Sequence, residues 1–272
     1  MSGRLTIQSH ETPPHVFAAC DRVGTTSGAL RLTPEVEAAV SSPAVRAAAL
    51  HKVIDDRPVL RDLTFDLPAG CYATLLGANG AGKTTLLRLL STLTTPSRGV
   101  LEIFGRCVRR HGAIIRAGLG LIGHQSMLYR DLSALENLVF FGRLHDLPEP
   151  NARAMDLLEF VGLVDRANDP VKTFSRGMVQ RVSIARALLH EPRLLLADEP
   201  FAGLDAPSAR TVENLLEQLN AQGMAIILAN HDVRQSLRLA QRVMVLRRGR
   251  LVLDAAAAPL SAEDVLGEIE KR

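Results

Sequence analysis

The stretch LLGANGAGKTTLLRLL, Leu75 to Leu90, sets glycines at 77, 80 and 82 and a lysine at 83 between two apolar runs. Ordering glycine costs more backbone entropy than ordering any other residue, so a cluster of them needs a reason. Such a reason is a ligand that comes closer to the backbone than a Cβ would permit. The run YATLLG before the loop reads as a buried strand, and KTTLLRLL after it reads as a helix start with apolar spacing. Between them, Gly77 to Thr84 match G-x-x-x-x-G-K-[ST]. Backbone N–H groups from Gly80 to Thr84 are expected to curl around a phosphate at the positive end of the following helix. Lys83 is expected to put a full charge on the β- and γ-phosphates, and Thr84 to offer a hydroxyl to Mg²⁺. A chance glycine turn is the bland alternative, but it explains neither the strand before nor the helix after. The expected ligand is a nucleoside triphosphate.

The whole chain narrows the setting. At 272 residues, 47% hydrophobic and 22% charged, it has the composition of a folded protein with one large domain or two small ones. A formal charge of +3 is too small to argue for nucleic acid, and LRRGR at Leu246–Arg250 reads as solvated surface. Cys20, Cys71 and Cys107 lack metal-ligand spacing and read as reduced thiols. No apolar run reaches the ~20 residues that cross a bilayer, and MSGRLTIQSHETPPH lacks a signal-like apolar core. A cytosolic protein is therefore expected.

Residues 1–42 stand apart: ETPPH and GTTSGAL are turn-rich, and LTPEVEAAVSS supports a short helix at most. A loosely ordered extension and an interaction arm are both open readings. From Pro43 on, the patterning is sustained. Strands are expected in AVRAAAL, LRDLTFDL, YATLLG, VLEIFG, GLGLIGH, RLLLADEP, MAIILAN, RVMVLRRG and RLVLDA. Helices are expected at Lys83–Leu93, Ala134–Leu144, Asn151–Val161, Met178–His190, Ala206–Ala221 and Val233–Ala240, with a short one in 261–272. Strands alternating with helices predict an α/β fold with a mainly parallel sheet.

Hydrolysis needs a carboxylate for magnesium and a group that orients or activates water. RLLLADEP, Arg193–Pro200, is an apolar run ending in paired acids. Buried as a strand beside the phosphate loop, it brings Asp198 out at its carboxyl end, where ligands of open parallel sheets bind. Asp198 suits the Mg²⁺ shell and Glu199 the attacking water, although Asp-Glu-Pro by itself also suits a strand ending on the surface. Just upstream lies KTFSRGMVQRVSIARALLHEP, Lys172–Pro192. A helix starting near Met178 would aim free N–H groups outward beside Ser175 and Gly177, making a second anion site.

At this point the chain resembles the nucleotide-binding subunit of an ABC transporter. FSRGM, Phe174–Met178, stands where that family has a signature close to L-S-G-G-Q; Ser175 and Gly177 match, while Arg176 and Met178 depart from it. The resemblance implies that Ser175 and Gly177 touch the γ-phosphate held by an opposite subunit. It implies that Gln125, closing GLIGHQ, senses Mg²⁺ and the attacking water, and that His231, closing AIILANHD, bonds the γ-phosphate. Asp205 in AGLD matches the loop that crosses the dimer interface. Gly77, Ala78, Asn79, Gly80, Ala81, Gly82, Lys83, Thr84 and Thr85 form the nucleotide loop. Catalytic roles fall to Glu199, His231 and Gln125, and Mg²⁺ to Thr84, Gln125 and Asp198. The family fold has an antiparallel β subdomain and a helical signature subdomain, placed at about 126–185 within a domain spanning 43–260. Ile54 stands where the family usually has an aromatic stacked on adenine, which puts preference for ATP over GTP in question.

One such domain without a membrane span implies two copies sandwiching two ATP molecules beneath separate permease subunits, on the cytoplasmic face of the inner membrane. Ser133 with Glu136 makes a capping box. GHQSMLYRDLSALENLVFFGRLH, Gly123–His145, together with FSRGM, most resembles the ATPase of the haem exporter of cytochrome c maturation. ATPases of drug, lipid or polysaccharide exporters are the alternative. A soluble ABC ATPase is a more distant one, since it usually has paired domains or coiled-coil insertions.

Overall fold

The computed structural model describes residues 43–271. The extension expected over residues 1–42, with its short helix, lies outside the described residues. Strands β1 (Val45–Ile54) and β2 (Arg57–Leu67) form an antiparallel hairpin, followed by β3 (Tyr72–Leu76) and α1 (Lys83–Leu90). Next come β4 (Arg98–Ile103), β5 (Arg106–Cys107), α2 (Val108–Arg116) and β6 (Leu119–Ile122). Three helices follow: α3 (Ala134–Leu144), α4 (Pro150–Phe160) and α5 (Arg176–Leu188). The chain then returns through β7 (Leu194–Asp198), α6 (Ala206–Ala221), β8 (Ala225–Ala229) and α7 (Val233–Leu239). It closes with β9 (Arg242–Arg247), β10 (Arg250–Ala256) and α8 (Ala262–Glu270).

Two sheets result. The smaller is antiparallel in the order β2-β1-β4-β5. The larger runs β10-β9-β3-β8-β7-β6, parallel throughout except for the edge strand β10. β3, β7 and β8 are continuous apolar runs because both of their faces are covered. Their side chains alternate between two cores, as a period of two requires. Leu194, Leu196, Ile227 and Leu75 meet β1, β2 and α1, while Leu195, Ala197, Ile226 and Tyr72 meet the helices α3 to α6.

The expected strands are all present, and the helices differ at their ends for local reasons. Thr92, at φ +58°, leaves the helical region, so α1 stops at Leu90 instead of Leu93. α5 starts at Arg176, two residues before the expected Met178, because the Ser175 hydroxyl accepts the Met178 N–H and caps it there. β5 and α2 were not expected. α2 buries only Val108 and Ile115, its backbone breaks at His111, and Arg109 to Gly112 form a polar run with a helix-weakening glycine, so no long apolar run marks it.

α3 and α4 pack on each other and on α5, which in turn packs on β6 and α6. At that seam the rings of His145 and His190 stack with centroids 4.1 Å apart. His190 Nε2 donates to the Leu119 carbonyl at 2.8 Å, leaving Nδ1 buried and unprotonated, with no partner. Burial, with His145 and Arg186 nearby, pushes His190 from its ordinary 6.5 down to about 4. An unfolded chain would take up this proton below pH 6.5 while the folded chain refuses it until about 4. Stability from His190 is therefore complete above 6.5 and lost as the pH falls toward 4. Urea unfolding across that window should show a steeper loss for wild type than for His190→Gln, which keeps a donor for Leu119 but cannot titrate.

Candidate functional site

The phosphate loop leaves β3 through Gly77, whose φ is +149°. A Cβ there would stand 2.2 Å from the Leu246 carbonyl oxygen of β9, so only glycine lets the loop start beside that strand. Gly82 precedes α1 with no side-chain cap, leaving the first N–H groups of the helix for a ligand. Lys83 is buried, and its ammonium donates to the Gly77 and Ala78 carbonyls at 2.6 and 3.3 Å. Burial lowers its pKa, while Glu199 and Asp198 pull it back up. A cavity of about 230 Å³ opens over the loop, bordered by Asn79, Gly80, Lys83, Thr84, Thr85 and Glu199. Val59 borders it as well, whereas Ile54 lies exposed near the tip of the β1–β2 hairpin.

The acidic strand β7 comes beside the phosphate loop without pairing with β3, the strand that feeds it. β8 lies between them, with Leu75 and Asp198 both in register with Ala229. The gap is closed from above, because α1 lies over β7 and β8. The Thr84 hydroxyl thereby donates to Asp198 Oδ2 at 3.0 Å. Glu199 takes a left-handed backbone, φ +50°, held by its N–H to the Ala229 carbonyl at 2.9 Å. A non-glycine residue in that region is strained, a condition that concentrates at functional sites. The strand end next to it carries His231, whose Nδ1 is 3.8 Å from Glu199 Oε1. Lys83, Thr84, Asp198, Glu199 and His231 thus converge from two neighbouring strand ends and one helix start.

A hydroxyl and a carboxylate, with phosphate oxygens and waters, make the oxygen set Mg²⁺ prefers, and Thr84 and Asp198 fit it. Among the described residues no group of three or more His, Cys, Asp or Glu makes a complete metal cage.

Other expected residues lie apart from this cluster. Gln125 is exposed in the loop after β6, outside the residues that border the phosphate-loop cavity. Ser175 is exposed at the start of α5, so the free N–H groups there are those of Arg176 and Gly177, not those beyond Met178. Gly177 is buried against α6: a Cβ on it would meet Ser208 Oγ at 2.3 Å and Ser208 Cβ at 2.6 Å. The Arg176 guanidinium lies against Gly203 in the AGLD loop. Asp205 caps α6 by accepting the Ser208 N–H at 3.0 Å, and bonding to Ser208 lowers its carboxyl pKa. Neither Ser175 nor Gly177 borders the phosphate-loop cavity of its own chain.

Three residues that the sequence reading passed over stand behind His231. Asn230, Gln235 and Glu213 are all buried and hydrogen-bonded in series. The one signal available was Asn230 itself, a polar residue closing an apolar strand.

The family model described as "ABC transporter" matches residues 60–202. The linearmycin resistance ATP-binding protein of Bacillus subtilis is 33% identical over 76% of this chain and 68% of its own length. The Nod factor export ATP-binding protein I of Rhizobium meliloti is 34% identical over 84% and 68%. The chain belongs to the ABC transporter ATP-binding family. Its fold is that of cbiO1 from Clostridium perfringens, part of the ABC transporter complex cbiONQ, at TM-score 0.76 and 26% identity over 83% of this chain and 93% of that one. An ATP-binding cassette solved as a dimer in a post-hydrolysis state with ADP and Pi matches at TM-score 0.71 and 26% identity, over 78% and 98%. This ABC subunit is an ATPase that hydrolyses ATP for transport.

Because Ser208 Cβ is fixed to its backbone, Gly177→Ala should force α5 and α6 apart and cost about 1–3 kcal/mol, the usual range for overpacking. Ser208→Gly in the same chain should restore at least half of that loss. Urea unfolding of the two single variants and the double variant checks both expectations.

Proposed function

We propose that this ATPase drives export through separate permease subunits, in the class of drug, lipid or polysaccharide exporters. The observation that carries the reading is the convergence of Lys83, Thr84, Asp198, Glu199 and His231 at the carboxyl ends of the strands. The relatives named for linearmycin resistance and Nod factor export support the exporter class. A second reading, the haem exporter of cytochrome c maturation, rests on the resemblance carried by Gly123–His145 and Phe174–Met178; the relatives named above favour the first.

In this proposal Lys83 and the loop N–H groups hold the β- and γ-phosphates. Thr84 and Asp198, with Gln125 drawn in, would hold Mg²⁺, which would supply charge neutralisation at those phosphates. Glu199 takes a proton from the attacking water as its oxygen bonds to the γ-phosphorus. The bond from that phosphorus to the bridging oxygen breaks, leaving ADP and phosphate. His231 donates to the γ-phosphate and keeps Glu199 in place. Ser175 and Gly177 lie away from their own phosphate loop, which supports a dimer in which each signature completes the partner's site. The dimeric relative supports it too. Among the described residues no helix is long and apolar enough to cross a membrane. We place the dimer at the cytoplasmic face of the membrane, docked on its permease, with no role for nucleic acid.

Glu199→Gln should keep ATP binding, trap a dimer and lower hydrolysis on the order of 10²-fold or more. Light scattering with and without Mg-ATP, beside a phosphate-release assay, reads both effects. Hydrolysis at the wild-type rate would remove Glu199 from the role of base, and a monomer at saturating ATP with the permease present would remove the sandwich. Ile54→Tyr should tighten ATP binding by a stacking contribution of roughly 0.5–1.5 kcal/mol. Fluorescent-nucleotide titration measures it, and no gain would mean that Ile54 does not cover the base.

A further inference from the structure

We propose that Asn230 is a positioning residue for His231, and that the buried carboxylate of Glu213 sets the orientation of Asn230 through Gln235. The proposal rests on the reading of His231 as a group acting at the γ-phosphate. Asn230 Oδ1 accepts two consecutive backbone N–H groups, from His231 at 2.8 Å and Asp232 at 3.3 Å. Its Nδ2 donates to Gln235 Oε1 at 2.9 Å, and Gln235 Nε2 donates to Glu213 Oε1 at 2.7 Å.

The direction of this chain is dictated from its far end. An ionised carboxylate only accepts hydrogen bonds, so Gln235 must turn its NH₂ toward Glu213 and its oxygen toward Asn230. Asn230 must then give its NH₂ to Gln235, which leaves its oxygen for the histidine loop. With either amide reversed, donors would face donors. The group is shielded from water: Asn230 is 2% exposed, Glu213 5% and Gln235 9%. A mismatched polar pair is costly at such depth. Glu213 is fixed in its turn by Arg238 Nη2 at 3.3 Å and Arg210 Nη1 at 3.5 Å.

The chain is tied at both ends to parts of the site. The Asn230 N–H donates to the Leu75 carbonyl at 3.2 Å, in the strand that runs into the phosphate loop. Glu213 and Arg210 lie on α6, the helix capped by Asp205. The His231 side chain is itself 66% exposed, so its own packing does little to hold it near Glu199. Its loop is held from behind, by Asn230.

The test is a cycle of variants in the full-length chain, read by steady-state phosphate release at varied Mg-ATP. Glu213→Gln can present either end of its amide, so it no longer dictates direction. It should lower kcat about tenfold, within the usual span of coupled networks, with little change in KM for ATP. Because the effect passes through the histidine, His231→Ala with Glu213→Gln should lose no more than His231→Ala alone. Losses that multiply, or a normal kcat in Glu213→Gln beside an impaired His231→Ala, would overturn the proposal alone. An unimpaired His231→Ala would overturn the reading of His231 as well. If Glu213→Gln does not fold, Asn230→Ser and Asn230→Val are compared instead. Serine keeps an acceptor for the loop and should retain most of kcat, whereas valine should lose about tenfold; equal rates would overturn the proposal.

Discussion

Three parallel strands end level with one another, and the site depends on that register. Leu75 of β3 and Asp198 of β7 are both paired with Ala229 of β8, so the glycine-rich loop, His231 and the acidic pair emerge in one row. A residue's shift in any of these ladders would turn its buried side chains to the opposite core, so the packing of both cores enforces the alignment. Lys83, Asp198 and Glu199 then share a small region in which burial disfavours the lysine's charge and the two carboxylates favour it. Such a region offers a polyanionic nucleotide both free helix N–H groups and a fixed cation.

The same alignment explains why the histidine end needs support from behind. β8 ends in the middle of the row, between the loop that carries Lys83 and the strand end that carries Glu199. Its last apolar residue, Ala229, is fully buried, and the next residue is the polar Asn230, also buried. A strand cannot pass from a closed core to an open site without some polar group at the boundary. Asn230 fills that position and answers two backbone N–H groups that turn away from the sheet.

Much of this arrangement was legible in the residues alone, and the exceptions have physical causes. Leu75–Leu90 and Arg193–Pro200 carry strong local signals, an apolar run abutting residues of specialised chemistry. Ser175 stood out in the residues as a candidate anion contact, but its role as the cap that moves the start of its helix did not. The order of β3, β8 and β7 was not legible, because a period of two reveals which face a side chain takes and not which strand lies beside it. The helix at Val108–Arg116 escaped because it is short and polar on average, with Gly112 and a backbone break at His111 in its middle. Glu213 and Gln235 lie 22 residues apart on separate helices, and only the folded packing of α6 against α7 brings them together.

The missing Cβ at Gly177 has a mechanical meaning. With α5 pressed onto Ser208 at less than ordinary van der Waals separation for any larger residue, the signature and the start of α6 have no slack between them. Arg176 resting on Gly203 adds a second point of contact on the same side. The two segments behave as a joint that transmits load and does not slide. A force applied at Ser175 would therefore reach Asp205 as well, since Ser208 is the residue whose N–H Asp205 accepts. The start of α5 and the start of α6 are geared to each other.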